Sequence, residues 1–319
     1  MTETASAPPR IEWLAADPAS LRVLELARKV AAAPSTVLIT GESGAGKDQL
    51  ARLIHELGPR RDAPFLKIDC ASLPPELVES ELFGHERGAF TGAVERKLGR
   101  LEMARGGTIV LDEVAALAPA VQSKLLRVLE ERSFGRLGGT ETLKIDARLI
   151  ALTNTDLPGA VAAGRFREDL YFRLNVVTIA APPLRERPRD IVPLAEHILA
   201  RLGAVHGRPN ARLSKAAHRA LEAYGWPGNV RELKNAIERA LVFAKRDELT
   251  PADFPDAVRA AASASGAADG AGLRSLEEIE RETIRATLEA TRYKIARSAE
   301  ILGISRKTLL EKRKKYGLD

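Results

Sequence analysis

The chain has 319 residues, 45% hydrophobic but only 4% aromatic, enough for two or three domains around aliphatic cores. A single cysteine, Cys70, excludes an intrachain disulfide, and no apolar run is long enough to span a bilayer, so a cytoplasmic protein with no membrane contact is expected. The net charge of +6 sits at one end: residues 291–319 carry nine Lys and Arg against three acids, and the neutral remainder argues against a uniformly basic protein.

The opening, MTETASAPPRIEW, lacks the apolar core of a secretory signal. LRVLELARKVAA (21–32) predicts an amphipathic helix, and STVLIT (35–40) a β-branched strand. GESGAGKD (41–48) follows it, then a helical DQLARLIHEL. Strand, glycine loop and helix are the context a phosphate-binding loop requires. Gly41, Gly44 and Gly46 let the backbone amides of Glu42, Ser43 and Ala45 approach phosphates, and Lys47 supplies a point charge. The eighth position, which in such loops is a Ser or Thr on Mg²⁺, is Asp48. PFLKIDC (64–70) predicts a second strand.

GTIVLDEV (107–114) predicts a third strand ending in Asp112, placed to hold Mg²⁺, and Glu113, placed to polarise an attacking water. VQSKLLRVLEE (121–131) reads as a helix, LKIDARLIALTN (143–154) as a fourth strand region and NVVTIAAP (175–182) as a fifth strand. Alternating strands and helices predict an α/β fold with a parallel sheet covered on both faces. After Pro193 the periodicity becomes helical, predicting a helical subdomain, and residues 256–273, rich in Ala, Gly and Ser, read as a flexible linker.

Ser275 to Glu278 forms a capping box that opens a new helical unit. In residues 292–319, Ala299 is small where helices cross and Gly303 marks a turn; Leu302, Ile304 and Leu309 are spaced for a core, and Ser305 caps a second helix. This helix-turn-helix pattern puts Ser305, Arg306, Lys307, Thr308, Lys312 and Lys314 toward double-stranded DNA, the first residues entering the major groove and the later bases facing phosphates.

GESGAGKD, ELFGHERGAFTGA (81–93), GTIVLDEV, RFREDLYFRLNV (165–176), PPLRERPRDI (182–191) and YGWPGNVREL (224–233) occur in that order. Over residues 11–255 the chain thereby resembles the AAA+ domain of bacterial enhancer-binding proteins, the ATP-dependent activators of sigma-54 RNA polymerase. GAFTGA is specific to that family among AAA+ proteins, and the tail resembles the Fis-type DNA-binding domain. The resemblance implies a three-layer α-β-α ATPase subdomain (11–190), a helical lid (191–255), the linker (256–273) and an all-α helix-turn-helix domain (274–319). It makes Asp48 a shorter form of the Glu usual after the loop lysine. It implies that Thr153 and Asn154 sense the γ-phosphate, that Arg167 and Arg173 are fingers acting on a neighbour's ATP, and that Arg231 is a second sensor. It also implies that Gly88, Phe90, Thr91 and Gly92 form a mobile tip touching sigma-54, supported by a hairpin at 133–145 containing Arg136, Gly138 and Gly139. Where the family has Asn, this chain has Asp69, whose carboxylate would repel Glu113 if it pointed there.

The expected protein is therefore an ATP- and Mg²⁺-dependent activator that remodels sigma-54 RNA polymerase holoenzyme from an upstream DNA site to allow open-complex formation, as a ring, expected to be a hexamer, on the nucleoid. A receiver or ligand-sensing module is expected to be missing, leaving control to a regulatory protein acting in trans or to a related partner subunit. Two other readings stand beside it: a DNA-binding regulator with a vestigial ATPase, and a replication initiator or helicase loader, which would lack GAFTGA and the Fis-type tail.

Overall fold

The computed structural model describes residues 13–261 and 275–318. The chain divides between Ala262 and Ser263 into two units. The first is built on a five-stranded sheet: β1 (Val37–Thr40), β2 (Phe65–Asp69), β3 (Thr108–Asp112), β4 (Arg148–Thr153) and β5 (Val177–Ala180). The spatial order is β2-β3-β4-β1-β5, with every pair parallel. Alternation along the strands divides the core in two. Val37, Ile39, Val110 and Ile150 pack with the helices Pro18–Ala31 and Lys47–Glu56. Leu38, Ile109, Leu111 and Ala151 pack with Pro75–Phe83, Pro119–Glu131 and Glu168–Leu174. A parallel sheet buried on both faces needs such apolar strands, and the result is the expected three-layer α-β-α arrangement.

All five strands point their carboxyl ends the same way, so Thr40, Asp69, Asp112 and Thr153 share one rim, in register as Thr40 with Thr153 and Asp69 with Asp112. Strand order reverses around β1, and ligands in open α/β sheets bind at such a crevice.

The expected fourth strand region, 143–154, is two elements. Thr142–Lys144 pairs antiparallel with Ser133–Gly135 as a hairpin, and only Arg148–Thr153 joins the sheet. Arg148 is buried and donates to the carbonyls of Ala31 and Val30 at 2.8 and 2.7 Å, closing the end of the first helix. Burial works against its charge and lowers its pKa.

Beyond the sheet, Pro188–Val205, Lys215–Ala223 and Asn229–Phe243 enclose a separate core around Trp226, whose indole donates to the Leu221 carbonyl at 2.8 Å. The first of these helices starts five residues before Pro193, the proline expected to open it, and carries that proline inside its first turns. Residues 256–261 are also helical and Val258 is buried in the same core, so the segment expected as linker begins as ordered helix. The rest of that expected linker lies outside the described residues. Among the described residues no helix is long and apolar enough to cross a membrane.

The second unit contains Leu276–Ala290, Ile295–Ile301 and Arg306–Tyr316 around Ile284, Leu288, Ala299 and Leu309. Its capping box is formed: Ser275 Oγ accepts from the Glu278 amide at 3.2 Å while Glu278 accepts from the Ser275 amide at 3.1 Å. Gly303 makes the turn at φ 66°, and Ser305 Oγ accepts from the Thr308 amide at 3.1 Å, starting the last helix.

Candidate functional site

The loop after β1 is a cradle that side chains would fill. Gly41, Gly44 and Gly46 have φ of 145°, 76° and 101°, where a Cβ is strained. A Cβ on Gly41 would stand 2.6 Å from the Ala181 carbonyl oxygen, and one on Gly44 2.5 Å from that of Gly228. Trp13 lies against Gly46, where a Cβ would come within 3.3 Å of its ring. The next helix starts at Lys47, so the loop ends on free helix amides. Lys47 is buried within the loop, its ammonium donating to the carbonyls of Gly41 at 2.8 Å and Glu42 at 3.2 Å.

The acids follow from the ends of β2 and β3. Asp112 closes β3, and Glu113 follows with φ 52°, a left-handed conformation that costs about 1–2 kcal/mol for a residue with a side chain. That bend brings Glu113 Oε1 to 3.7 Å from the Lys47 ammonium, and Oε2 accepts from the Asn154 amide at 3.0 Å. Of the two alternatives left open for Asp69, the structure favours the one without a clash. Asp69 Oδ1 accepts from the Ala71 and Ser72 amides at 3.0 and 3.2 Å, because a short carboxylate at a strand end satisfies its own turn first.

Asp48 and Asp112 are joined by a residue that motif reading missed. The Lys67 ammonium, from β2, lies 2.6 Å from Asp48 Oδ1 and 2.6 Å from Asp112 Oδ2. Partial burial of Lys67 opposes its charge, yet the bonds to Asp112 and Asp48 outweigh it and raise its pKa. Among the described residues no cluster of three or more His, Cys, Asp or Glu side chains is arranged as a metal cage. Mg²⁺ does not need one: it is commonly held by one or two carboxylates with substrate phosphates and water. The hard oxygens of Asp112, at the strand end beside the loop, suit that ion.

Of the two expected γ-phosphate sensors, only Asn154 faces the cleft. Thr153 is fully buried and its hydroxyl accepts from the Thr155 amide at 3.0 Å, so it shapes the turn instead. Asn154 lines an open cleft of about 750 Å³ with Glu42, Ser43, Gly228, Arg231 and Asn235. The helical subdomain therefore closes one side of the loop. Arg231 Nη1 donates to Ser43 Oγ at 2.7 Å. Arg185 donates through both Nη atoms to Glu42, at 2.8 and 2.6 Å, and Asn229 Nδ2 donates to Glu42 at 3.1 Å. The Arg185 and Asn229 bonds hold the Glu42 carboxyl down at about 2. Sequence reading singled out neither Arg185 nor Asn229, although both lie inside motifs it had noted, PPLRERPRDI and GNVREL.

Arg167 and Arg173 are not brought to this chain's own loop. Arg167 forks onto Asp169 at 3.0 and 2.7 Å, and Arg173 Nη2 donates to the Leu129 carbonyl at 3.1 Å.

The GAFTGA tip lies beyond the helix Pro75–Phe83, which starts a few residues after Asp69. Its base is a short antiparallel pair, Gly84–His85 with Lys97–Leu98. Gly88 and Gly92, at φ 81° and 107°, have no atom near the place a Cβ would take. Thr91 is exposed, and Phe90 is 42% exposed, resting only an edge on His85 with ring centroids 5.0 Å apart. The hairpin at 133–145 lies beneath: the Glu86 amide donates to the Leu137 carbonyl at 2.9 Å, and a Cβ on Gly138 would strike Ala89 Cβ at 2.8 Å. Arg136, 4% exposed, ties both loops, donating to Glu102 at 3.0 and 2.8 Å, to Glu86 at 2.9 Å and to Glu141 at 2.8 Å. Arg136→Ala would leave three carboxylates facing each other. We expect it to destabilise the first unit by about 3 kcal/mol, the low end for a broken buried pair because these acids reach solvent. Urea melts of the parent and variant check this, and a difference below ~1 kcal/mol would reject the network as a support.

In the second unit Arg306, Lys307 and Lys314 are exposed. Lys312, expected on DNA, is instead drawn inward: its ammonium pairs with Glu280 of the first helix, which also accepts from the Tyr316 hydroxyl at 2.6 Å. Thr308 is likewise occupied, its hydroxyl 2.7 Å from that of Ser305 in the helix cap.

Comparison with known proteins agrees with this geometry. Residues 14–180 match the sigma-54 interaction domain, residues 185–271 the AAA+ ATPase lid domain, and residues 275–316 the Fis family of bacterial regulatory proteins. The response regulator protein PilR of Pseudomonas aeruginosa is 46% identical over 295 residues, covering 91% of this chain and 66% of PilR. The regulatory protein AtoC of Escherichia coli is 44% identical over 308 residues, covering 95% of this chain and 67% of AtoC. The chain thus spans about two thirds of the length of these relatives. Among solved structures, NtrX from Brucella abortus in complex with ATP superposes with a TM-score of 0.71 at 36% identity, over 96% of this chain and 69% of NtrX.

Proposed function

The chain belongs to the sigma-54 interaction family of AAA+ transcription regulators, and from that premise we propose that it hydrolyses ATP to move the Phe90 loop against sigma-54 RNA polymerase holoenzyme. The observation that carries this is the exposed Phe90 on a glycine-hinged tip, chained through one helix to β2, whose Lys67 bonds Asp48 and Asp112. Burying such a ring is worth roughly 1.5–3 kcal/mol, so an exposed one favours a partner surface.

In this reading the amides of residues 41–47 and the Lys47 ammonium bind the phosphates, and Asp112 would hold Mg²⁺. The ion would offset charge on the transferred phosphoryl group. Glu113 orients and polarises water, and its bond to the Asn154 amide is the one that senses the γ-phosphate. Arg231, through Ser43, reports the same event to the lid. Arg167 and Arg173 serve the next subunit, which makes a ring, a hexamer in our proposal, the working form. A related subunit or a regulatory protein can enter the same interface. Ser305, Arg306, Lys307 and Lys314 place the chain on an upstream DNA site, the nucleoid being its place of action, and Lys312 orients the last helix rather than reading DNA. The boundaries we propose are an ATPase subdomain ending near residue 187, a lid running through residue 261, and a DNA-binding unit from residue 275.

Thr91→Ala tests the separation of motor from tip. Thr91 is exposed and touches no part of the cleft, so ATP hydrolysis is expected within twofold of the parent while sigma-54-dependent transcription from a supercoiled template falls at least tenfold. Equal loss of both would make Thr91 a structural residue and sink the proposal for the tip.

A further inference from the structure

Lys67 sits where the proposed metal ligand needs to be free. Its ammonium is bonded at equal distance to Asp48 Oδ1 and Asp112 Oδ2, both 2.6 Å away. Asp112 is 16% exposed at the side chain and Asp48 56%, so one end of this bridge is inside the site and the other opens to water. Asp48 stands in the place where other phosphate-binding loops put a metal-holding hydroxyl. An ionised carboxylate can only accept, and two such groups aimed at one corner repel unless a cation lies between them. Lys67 is that cation.

A divalent ion approaching Asp112 Oδ2 meets an ammonium on the same oxygen. Two cations on one oxygen repel strongly in a partly dry site. Asp48 offers the ammonium somewhere else to go, since its bond to Lys67 survives when the one to Asp112 breaks. We propose that Lys67 is a positioning residue that keeps Asp112 closed to divalent metal until nucleotide phosphates pull the ion in, with Asp48 as the acceptor to which Lys67 withdraws. The inference rests on the reading of Asp112 as the Mg²⁺ ligand. It gives Asp48 a role that a shortened metal ligand would not have: it accepts the displaced lysine. It also gives the protein a reason to bind free metal weakly and metal-loaded nucleotide well.

The two ends of the bridge predict opposite signs. Lys67→Met removes the competitor, so the Mg²⁺ concentration that half-saturates tight nucleotide binding should fall at least about tenfold. Asp48→Asn removes the refuge and leaves Lys67 on Asp112, so that concentration should rise severalfold. The measurement is binding of a fluorescent, non-hydrolysable ATP analogue to the full chain, titrated with MgCl₂. Heat unfolding with MgCl₂ alone supplies a second readout: free Mg²⁺ should raise the melting temperature of Lys67→Met and not of the parent. Generic damage would weaken metal dependence in both variants. Asp112→Asn is the control, expected to erase the Mg²⁺ enhancement. If it does not, Asp112 is not the ligand and the reading beneath this inference fails. If Asp112→Asn erases the enhancement but Lys67→Met leaves the half-saturating concentration unchanged or raises it, the gate alone is overturned. Should Lys67→Met fail to fold, an unchanged or lowered requirement in Asp48→Asn overturns it equally.

Discussion

Glu113→Gln is expected to lower ATP turnover by ~10²- to 10⁴-fold, the usual contribution of a positioned general base, while leaving nucleotide bound. The geometry makes this a clean substitution. Gln keeps the length of the side chain, and its carbonyl oxygen can still accept from the Asn154 amide, now at 3.0 Å from Glu113 Oε2. The left-handed backbone at Glu113 is set by its neighbours and is not altered. What is lost is the negative charge facing Lys47 and any water beside it. Phosphate release measured at saturating ATP, alongside binding of a fluorescent nucleotide, separates the two. Turnover within tenfold of the parent would mean that another group polarises the water.

Arg173→Ala is expected to cost ~10³- to 10⁵-fold in turnover, the range for an arginine finger supplied by a neighbour. Neither Arg173 nor Arg167 bonds to the chain's own phosphate loop; both are held beside the helix Pro119–Glu131, Arg173 by the Leu129 carbonyl and Arg167 through Ser123 at 3.3 Å. In the reading proposed above, Arg173 serves the site of a neighbouring subunit. The decisive version mixes two dead proteins. Arg173→Ala keeps an intact Glu113, and Glu113→Gln keeps an intact Arg173, so a mixed assembly contains some complete sites. Recovery of turnover on mixing, rising with total protein concentration, is the expected result. A mixture as inactive as its parts would reject action between subunits.

The strand, glycine loop and helix around Lys47 were legible because all their determinants are local: β-branched alternation, glycines at fixed offsets and a helix start. The same holds for the Ser275 capping box, whereas the hairpin at 133–145 was implied by the family resemblance alone. The failures share a different cause. Residues 143–154 look like one apolar run, and only the positions of the partners show that Thr142–Lys144 pairs with Ser133–Gly135 while Arg148–Thr153 enters the sheet. Thr153 and Asn154 are adjacent, but Thr153 closes a strand buried at every position while Asn154, the first residue beyond it, is exposed on the cleft. Lys312 lies on a basic helix whose inward face is defined by Glu280, 32 residues away. Arg185 meets Glu42 across 143 residues, and Lys67 meets Asp48 and Asp112 from a strand whose register no motif records. Charged side chains take their partners from tertiary structure, so composition names them without saying where they point.

The contact between Gly138 and Ala89 bears on what can be transplanted. Residues 88–93 close their own turn, the Gly88 amide donating to the Ala93 carbonyl at 2.8 Å, but the hairpin leaves no room for even a methyl group against Ala89. A chimaera receiving only that hexapeptide would inherit the turn without the seat fitted to it. The heritable unit is the pair of loops with Arg136 between them, and drift in one should be answered by drift in the other.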